Sequence, residues 1–232
     1  MKAMILAAGR GERMRPLTDA TPKPLLQVGG KPLIVWHLER LAEAGLRDVI
    51  INHAWLGMQI EAALGDGAGL GLHIRYSPER PGGLETAGGI ALALPFFENQ
   101  PFLVINADIW CDWHPSQATA MAARLSPEGN AAWLLMTDNP PQHPDGDFIL
   151  MPDGHICDKA QAPDAAALTF AGIGAYLPSL FNTLTPGDAA PLAPVLRIAM
   201  AAGRVCGSRH EGVWEDIGTP ERLASLRRRV GD

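Results

Sequence analysis

The chain has 232 residues, of which 47% are hydrophobic and 19% are charged, and its formal net charge at pH 7 is −6. This size and composition favour one globular domain with room for a sizeable core, and the acidic balance argues against a nucleic-acid or anionic-membrane partner. The apolar segment that begins after Lys2 ends at Gly9 and is too short for a signal peptide or a membrane span, so we expect a cytoplasmic protein.

Strand-like apolar runs alternate with helical patterns along the chain. The runs cover residues 4–8, 49–52, 102–106, 133–136 and 170–177. Helices are predicted from Pro32 to a stop at Gly45, over 86–94, over 192–202 and after the capping pair Thr219-Pro220. This order predicts an α/β fold with a doubly wound, mostly parallel sheet. Loops rich in Pro and Gly are predicted at 77–83, 139–146 and 185–194, and such loops bind ligands when they follow the carboxyl ends of strands.

The segment after the first strand is the most informative part of the chain. Gly9 and Gly11 allow a tight turn in which backbone N–H groups can approach an anion. Arg13, Arg15 and Lys23 add positive charge, and a guanidinium suits phosphate oxygens particularly well. We interpret the segment as a grip for a nucleoside triphosphate; the alternative is a turn whose arginines form a solvated face.

Two other phosphate-binding motifs fit this segment poorly. A dinucleotide fingerprint requires a small residue where Met14 stands and opens directly into a helix, which Pro16 disfavours. A P-loop requires Gly-Lys-Ser/Thr, and the nearest sequence, Gly30-Lys31-Pro32, lacks the hydroxyl. An NAD-binding dehydrogenase is therefore disfavoured.

The stretch Leu6-Ala-Ala-Gly-Arg-Gly-Glu-Arg-Met-Arg-Pro-Leu-Thr18, followed by Pro22-Lys-Pro24, resembles the signature of the sugar-1-phosphate nucleotidylyltransferases. The resemblance implies a Rossmann-like, GT-A-like domain that transfers a nucleotidyl group to a sugar 1-phosphate. Over its whole length the chain resembles bacterial members that use UTP and N-acetylmuramate 1-phosphate in peptidoglycan recycling. Glucose 1-phosphate with dTTP or UTP, mannose 1-phosphate with GTP, and a non-catalytic nucleotide sensor are the alternatives. Glu12 and Glu85 depart from the residues usual in relatives.

Two aspartates are candidate metal ligands. Asp108 ends the run Val104-Ile-Asn-Ala-Asp108, and Asp216 lies in Trp214-Glu-Asp-Ile-Gly-Thr-Pro220. Taken alone, each is an ordinary turn or cap aspartate. The resemblance implies that together they hold Mg²⁺, a hard cation that prefers oxygen ligands.

The resemblance also implies the remaining site residues. The nucleotide set is Ala7, Gly9, Gly11, Glu12, Arg13, Lys23, Gly83 and Asn106, with Glu79 near Gly83 as an orienting acid. The catalytic set is Arg13, Lys23 and Asp108. The sugar-phosphate set is Trp110, Gly146, Asp147, Lys159 and Gly172. Two alternatives stay open, because Trp110 and Trp113 can equally fill the edge of the core and Lys159 can be a solvated surface lysine.

Three further expectations concern the rest of the chain. Cys111, Cys157 and Cys206 are far apart and form no Cys-x-x-Cys pair, so we interpret them as buried thiols rather than as disulfide or zinc ligands. The seven histidines are scattered and are interpreted as structural or surface residues. Many relatives continue into a C-terminal β-helix, whereas a single helix is predicted here after Asp216. We therefore expect one domain over 1–232 without that extension, and a monomer.

Overall fold

The structure is a computed structural model that describes residues 1–231, and its elements alternate between strands and helices. The strands are β1 (Lys2–Leu6), β2 (Gln27–Val28), β3 (Lys31–Pro32), β4 (Asp48–His53), β5 (His73–Pro78), β6 (Phe102–Asn106), β7 (Ile109–Cys111), β8 (Ala132–Thr137), β9 (Ile149–Leu150), β10 (Ile156–Cys157), β11 (Thr169–Tyr176), β12 (Val205–Arg209) and β13 (Trp214–Asp216). The helices are α1 (Leu17–Ala20), α2 (Leu33–Glu43), α3 (Gly57–Leu64), α4 (Glu85–Ala93), α5 (Ala118–Ala122), α6 (Leu192–Ala201) and α7 (Pro220–Val230).

Within residues 1–231 the main sheet has seven strands in the order β12-β8-β11-β6-β1-β4-β5. Strands β6, β1, β4 and β5 are mutually parallel, and β12 is parallel to β8. Only β11 is antiparallel to its neighbours β6 and β8. The prediction of a doubly wound, mostly parallel sheet is therefore confirmed. The parallel strands all end at one edge of the sheet, and β11 begins at that edge, where such folds bind ligands.

Alternate residues of each central strand supply two separate cores. In β1, Ala3 and Ile5 face one side of the sheet and Met4 faces the other, and all three are fully buried. Helices α2 and α3 cover the first face, and α4 and α6 cover the second. Burial on both faces explains why the strands are almost continuously apolar in sequence.

A third, smaller core fixes the segment after β1 against the two-stranded antiparallel ladder of β7 and β13. Met14 and Trp110 pack in it with Leu33 of α2 and Leu223 of α7. Met14 is completely buried, because it ends a short 3₁₀ turn over Glu12–Met14 that directs its side chain inward. Met14, whose size is incompatible with a dinucleotide-binding motif, therefore anchors the loop in the hydrophobic core.

The predicted elements are found with small shifts at their ends. Helix α2 has its predicted apolar stripe buried and is followed by Gly45 at φ +76°, as a glycine stop requires. The Thr219 hydroxyl accepts a hydrogen bond from the Arg222 backbone N–H and caps α7. Strands β5 and β12 and helix α3 were not predicted. Strand β12 contains Gly207 and Ser208, which are not typical of strands, and α3 begins after Leu56, whose backbone is left-handed and whose side chain provides no cap. The predicted loop at 77–83 begins inside β5.

The three cysteines are free thiols, of which Cys111 and Cys206 are buried as predicted and Cys157 is only partly buried. Cys157 lies in a two-strand ladder outside the main sheet, which explains its exposure. No helix within residues 1–231 has the length and apolar character needed to cross a membrane.

Candidate functional site

A cavity of about 330 Å³ opens where β1, β4 and β6 end. Four segments line it: the loop after β1, the end of β4, the turn after β6 and residues 79–86, which lead into α4. Seven of the predicted residues line it: Ala7, Gly9, Lys23, Glu79, Gly83, Asn106 and Asp108. Parallel pairing brings these distant segments together, since β1 lies between β4 and β6.

Lys23 and Asp108 form an ion pair at the wall of this cavity. The Lys23 Nζ lies 2.7 Å from Asp108 Oδ2; the lysine side chain is 9% exposed and the aspartate side chain 42%. The flanking prolines, Pro22 and Pro24, hold the lysine in a short 3₁₀ turn. A largely buried ammonium is stable only when it is paired, so Asp108 fixes this positive charge beside the cavity.

The turn at Gly11 determines the shape of the loop after β1. Gly11 has a φ of +67°, and a Cβ there would lie 3.1 Å from Thr18 Cγ2 and 3.4 Å from Lys23 Cβ. Its carbonyl accepts a 2.8 Å hydrogen bond from the buried Thr18 hydroxyl. Glycine is therefore needed at this position both for its conformation and for its small size.

The cation that lines the cavity from this loop is Arg10, which the sequence pattern did not single out. Its guanidinium lies 3.7 Å from the ring centroid of Trp55 and donates a 3.0 Å hydrogen bond to the Thr18 carbonyl. Arg13 is exposed and forms no ion pair within residues 1–231, and Arg15 pairs with Asp19 at 2.7 Å. Glu12, Arg13 and Gly11 are not among the lining residues.

A chain of hydrogen bonds joins the loop after β1 to the loop before α4. The Asn52 side chain accepts from the Ala7 backbone N–H at 2.9 Å and donates to Glu79 Oε1 at 2.6 Å. The other Glu79 oxygen accepts from the Leu84 backbone N–H at 2.7 Å. A Cβ at Gly89 would lie 2.5 Å from Glu79 Oε1 and 2.8 Å from Asn52 Nδ2. The Glu79 carboxylate thus fixes the backbone directly after Gly83, whose φ is +77°, and links it through Asn52 to the loop after β1.

The second predicted metal ligand, Asp216, belongs to the strand that pairs with the strand after Asp108. The Ile217 backbone N–H donates to the Asp108 carbonyl at 2.9 Å, and Asp216 Oδ2 lies 2.6 Å from Arg222 Nη1. Asp216 lines a neighbouring cavity of about 410 Å³ together with Arg222. The β7–β13 pairing therefore brings the two carboxylates to the same end of one two-stranded ladder. Each is partly exposed and offers only oxygen, a donor set that fits a hard divalent cation such as Mg²⁺.

A different set of potential metal ligands lies at the other end of this ladder. Cys111, Asp112 and His210 each offer one ligand atom, and these atoms lie within 4.8 Å of one another. His210 Nε2 is 2.7 Å from Asp112 Oδ1. Burial raises the pKa of the Cys111 thiol to about 11, so the sulfur is protonated at neutral pH and is a poor ligand for a hard cation.

A third cavity, of about 420 Å³, adjoins the first one. Glu85, Thr86 and Asn106 line both cavities, and Asp147 and Phe170 line only the third. The Asp147 carboxylate accepts a 2.8 Å hydrogen bond from the Phe170 backbone N–H and lies 3.0 Å from His143 Nε2. The predicted residue Asp147 therefore belongs to a cavity that shares a wall with the Lys23–Asp108 site.

Two predicted glycines allow close approach around this third cavity. A Cβ at Gly172, whose φ is +75°, would lie 2.7 Å from Asn106 Nδ2. A Cβ at Gly146, whose φ is +59°, would lie 2.7 Å from Asn139 Oδ1. Lys159 is exposed and donates to the Gly146 carbonyl at 2.9 Å, so it braces this loop without lining either cavity.

Trp110 does not reach the site, in contrast to one of the two predicted roles. It is 9% exposed, and its ring makes an edge contact with Trp36 at a centroid distance of 4.9 Å. Trp113 is also buried and stacks on Trp133. Both indoles fill hydrophobic cores, Trp110 the third core and Trp113 the first, so the placement of Trp110 against a sugar is corrected here.

Buried histidines near the site are structural, as predicted from sequence. His37 of α2 lies 2.9 Å from the Ile109 carbonyl, and its complete burial lowers its pKa to about 4. The imidazole is therefore neutral at pH 7 and acts as a hydrogen-bonding core residue beneath β7.

Comparisons with known proteins agree with this arrangement. Residues 2–231 match the nucleotidyl transferase family. The chain is 55% identical over 231 residues to the N-acetylmuramate alpha-1-phosphate uridylyltransferase of Neisseria meningitidis serogroup B, with 100% of this chain and 99% of that protein aligned. It is 35% identical over 236 residues to the protein of the same name from Caulobacter vibrioides, with 99% and 97% aligned.

Solved structures confirm the fold. A Bacillus anthracis protein assigned as a glucose-1-phosphate thymidylyltransferase superposes with a TM-score of 0.84 at 22% identity, covering 100% of this chain and 96% of that one. At this identity the likeness shows the fold alone.

Proposed function

The chain belongs to the nucleotidyl transferase family, and from this premise we propose that it transfers a uridylyl group from UTP to N-acetylmuramate 1-phosphate, giving UDP-N-acetylmuramate and pyrophosphate. The observation that carries the choice of substrates is the 55% identity to the Neisseria enzyme over the full chain. It is a nucleotidyltransferase whose substrates are a nucleotide and a sugar phosphate.

The nucleotide is proposed to occupy the 330 Å³ cavity. The backbone around Ala7 and Gly83, held by Asn52 and Glu79, would face the base, because amide groups fixed in this way can read the edge of a pyrimidine. The triphosphate would lie against the loop after β1, near the ammonium of Lys23. Arg13 remains a predicted contact on the exposed turn of that loop.

The reaction needs no general base. The sugar phosphate has a second pKa near 6, so at neutral pH it is mostly a dianion and is itself the nucleophile. One of its oxygens forms a bond to the α-phosphorus of UTP, while the bond from that phosphorus to the oxygen bridging the β-phosphorus breaks and pyrophosphate leaves. The obstacle is the mutual repulsion of two polyanions, which Lys23 and Arg10 would reduce by placing positive charge at the cavity.

Asp108 and Asp216 are the residues that would hold Mg²⁺. When bound there, the ion would supply positive charge to phosphate oxygens and help to align the reacting groups. The two carboxylates support this proposal, since they come from paired strands and provide hard oxygen ligands.

The sugar ring is proposed to extend toward Asp147 and Gly172, with Lys159 bracing the loop at Gly146. The product is a cell-wall precursor, so we place the enzyme in peptidoglycan recycling. The proposal includes a cytoplasmic location, a single nucleotidyltransferase domain over 1–232 and a monomeric state.

Pyrophosphate release across a panel of substrates tests the proposal. UTP, dTTP and GTP would each be paired with the 1-phosphates of N-acetylmuramate, glucose and mannose, with Asp108→Asn as the inactive control. The highest kcat/KM is expected for UTP with the muramate ester. A preference for glucose with dTTP or for mannose with GTP would refute the substrate assignment, and UTP binding without turnover on any sugar phosphate would favour a sensor.

A further inference from the structure

Glu85 combines an unfavourable backbone conformation with a side chain that has no partner in the protein. Its φ is +57°, in the left-handed region that residues other than glycine rarely adopt. The residue is exposed, and its carboxylate makes no hydrogen bond or ion pair with any of residues 1–231. Backbone hydrogen bonds of Leu84 and Ala87 hold this segment in place, whereas the Glu85 side chain stays available to a ligand.

Glu85 lies where two cavities meet. It is one of only three residues, with Thr86 and Asn106, that line both the 330 Å³ cavity and the 420 Å³ cavity within residues 1–231. The preceding residue, Leu84, is fixed by its hydrogen bond to Glu79. Glu85 therefore starts α4 at the boundary between the proposed nucleotide site and the space that adjoins it.

The adjoining cavity has the chemistry of a site for the hydroxyl and amide groups of a sugar ring. Its acidic wall is Glu85 and Asp147, and Asp147 is held by the Phe170 backbone N–H. Its apolar wall includes Phe170 and Leu196, and no Lys or Arg is among its described lining residues. Carboxylates accept hydrogen bonds from hydroxyl and amide groups but repel phosphates and other carboxylates.

We propose that Glu85 determines specificity for the sugar phosphate: its carboxylate accepts hydrogen bonds from hydroxyl or amide N–H groups of the sugar ring. Its charge repels the anionic substituents, so that the phosphate and the lactyl carboxylate of the muramate ester both lie away from this wall, with the phosphate toward Lys23. The inference rests on the proposed function, because it concerns the acceptor substrate of that reaction.

Two substitutions separate the side chain from the backbone. Glu85→Gly removes the carboxylate and suits a φ of +57°, and Glu85→Gln keeps the shape but removes the charge. Glu98→Gly is the matched control, because Glu98 is also a left-handed glutamate, with a φ of +53°, but it pairs with Lys2 and lines neither cavity.

The readout is steady-state kinetics with both substrates varied. Glu85→Gly is expected to raise the KM for the sugar phosphate about ten-fold, with a smaller rise for Glu85→Gln, while the KM for UTP stays within about two-fold. Glu98→Gly should change neither KM. An unchanged KM for the sugar phosphate, or a rise confined to the KM for UTP, would overturn the inference.

The same experiment separates this inference from the proposed function. If the wild-type protein does not use the muramate ester, the substrate assignment fails, and the Glu85 variants are compared on the sugar 1-phosphate that the wild type does accept. A selective rise in that KM would still support the role of Glu85. Melting temperatures are measured in parallel, and Glu85→Gly is expected to fold normally because glycine adopts the left-handed conformation without strain.

Discussion

Lys23→Met is the most direct test of how this cavity handles phosphate charge. The substitution removes the ammonium that lies 2.7 Å from Asp108 and replaces it with an unbranched apolar side chain of similar length. Because the Lys23 side chain is only 9% exposed, its charge acts in a site with limited access to water, where electrostatic interactions are strong.

The structure predicts a large effect on catalysis and a small one on stability. Loss of a preorganised donor to a developing oxyanion typically costs about 10²–10³-fold in kcat, or roughly 3–4 kcal/mol of transition-state stabilisation. The carboxylate left behind at Asp108 is 42% exposed and can be hydrated, so the free energy of unfolding should fall by about 1 kcal/mol or less.

Single-turnover pyrophosphate release and urea unfolding measure these two quantities on the same preparation. Lys31→Met serves as the control, since Lys31 pairs with Glu39 and lies over Trp36 but does not line the cavity. The control should keep kcat within about two-fold of the wild type. A Lys23→Met enzyme with kcat within five-fold of the wild type would refute the role of the ammonium. An equal loss of stability and activity would show that its role is structural.

Three further predictions address other parts of the site. Gly89→Ala places a methyl group 2.5 Å from Glu79 Oε1, so we expect the KM for UTP to rise at least about ten-fold in the kinetic assay. Gly69→Ala is the control, because no atom lies within 4 Å of its added methyl group, and it should leave the KM for UTP unchanged. Removal of divalent cations with EDTA should abolish pyrophosphate release, and excess Mg²⁺ should restore it. Asp216→Asn should raise the Mg²⁺ concentration that gives half-maximal activity. Activity that persists in EDTA would contradict the metal assignment. Burial lowers the pKa of His37 from 6.5 to about 4, so its contribution to stability is complete above pH 6.5 and is lost as the pH falls toward 4. In that window urea titrations should show the free energy of unfolding falling by about 1.4 kcal/mol per pH unit, and His37→Gln should lack this component.

Local patterns were sufficient to predict the sheet and the turn after β1, whereas most of the nucleotide set was implied by the resemblance to the nucleotidylyltransferases. Strands buried on both faces are apolar runs whose carboxyl ends meet at one edge, so Asp108 could be placed at that edge from sequence, while Ala7 and Asn106 were implied by the resemblance. The antiparallel orientation of β11 and the short β7–β13 ladder could not be predicted in this way, because their pairing depends on contacts between segments far apart in the chain. That ladder decides where Trp110 lies, and the ring is buried in the third core rather than exposed to a sugar.

Arg10 and Asn52 show why the remaining residues of the site were missed. The arginine chosen by spacing was Arg13, but Arg10 is the one held at the cavity, because Trp55, 45 residues away in sequence, supports its guanidinium. Asn52 looked like the polar end of an apolar run, yet its amide is the only described group that bonds both the Ala7 N–H and Glu79. Removing it would leave a buried N–H and a carboxylate without their partner, and such groups cost more than the bond itself. The base-facing loops are therefore positioned by long-range partners, while the phosphate-facing loop is determined largely by its own glycines and prolines.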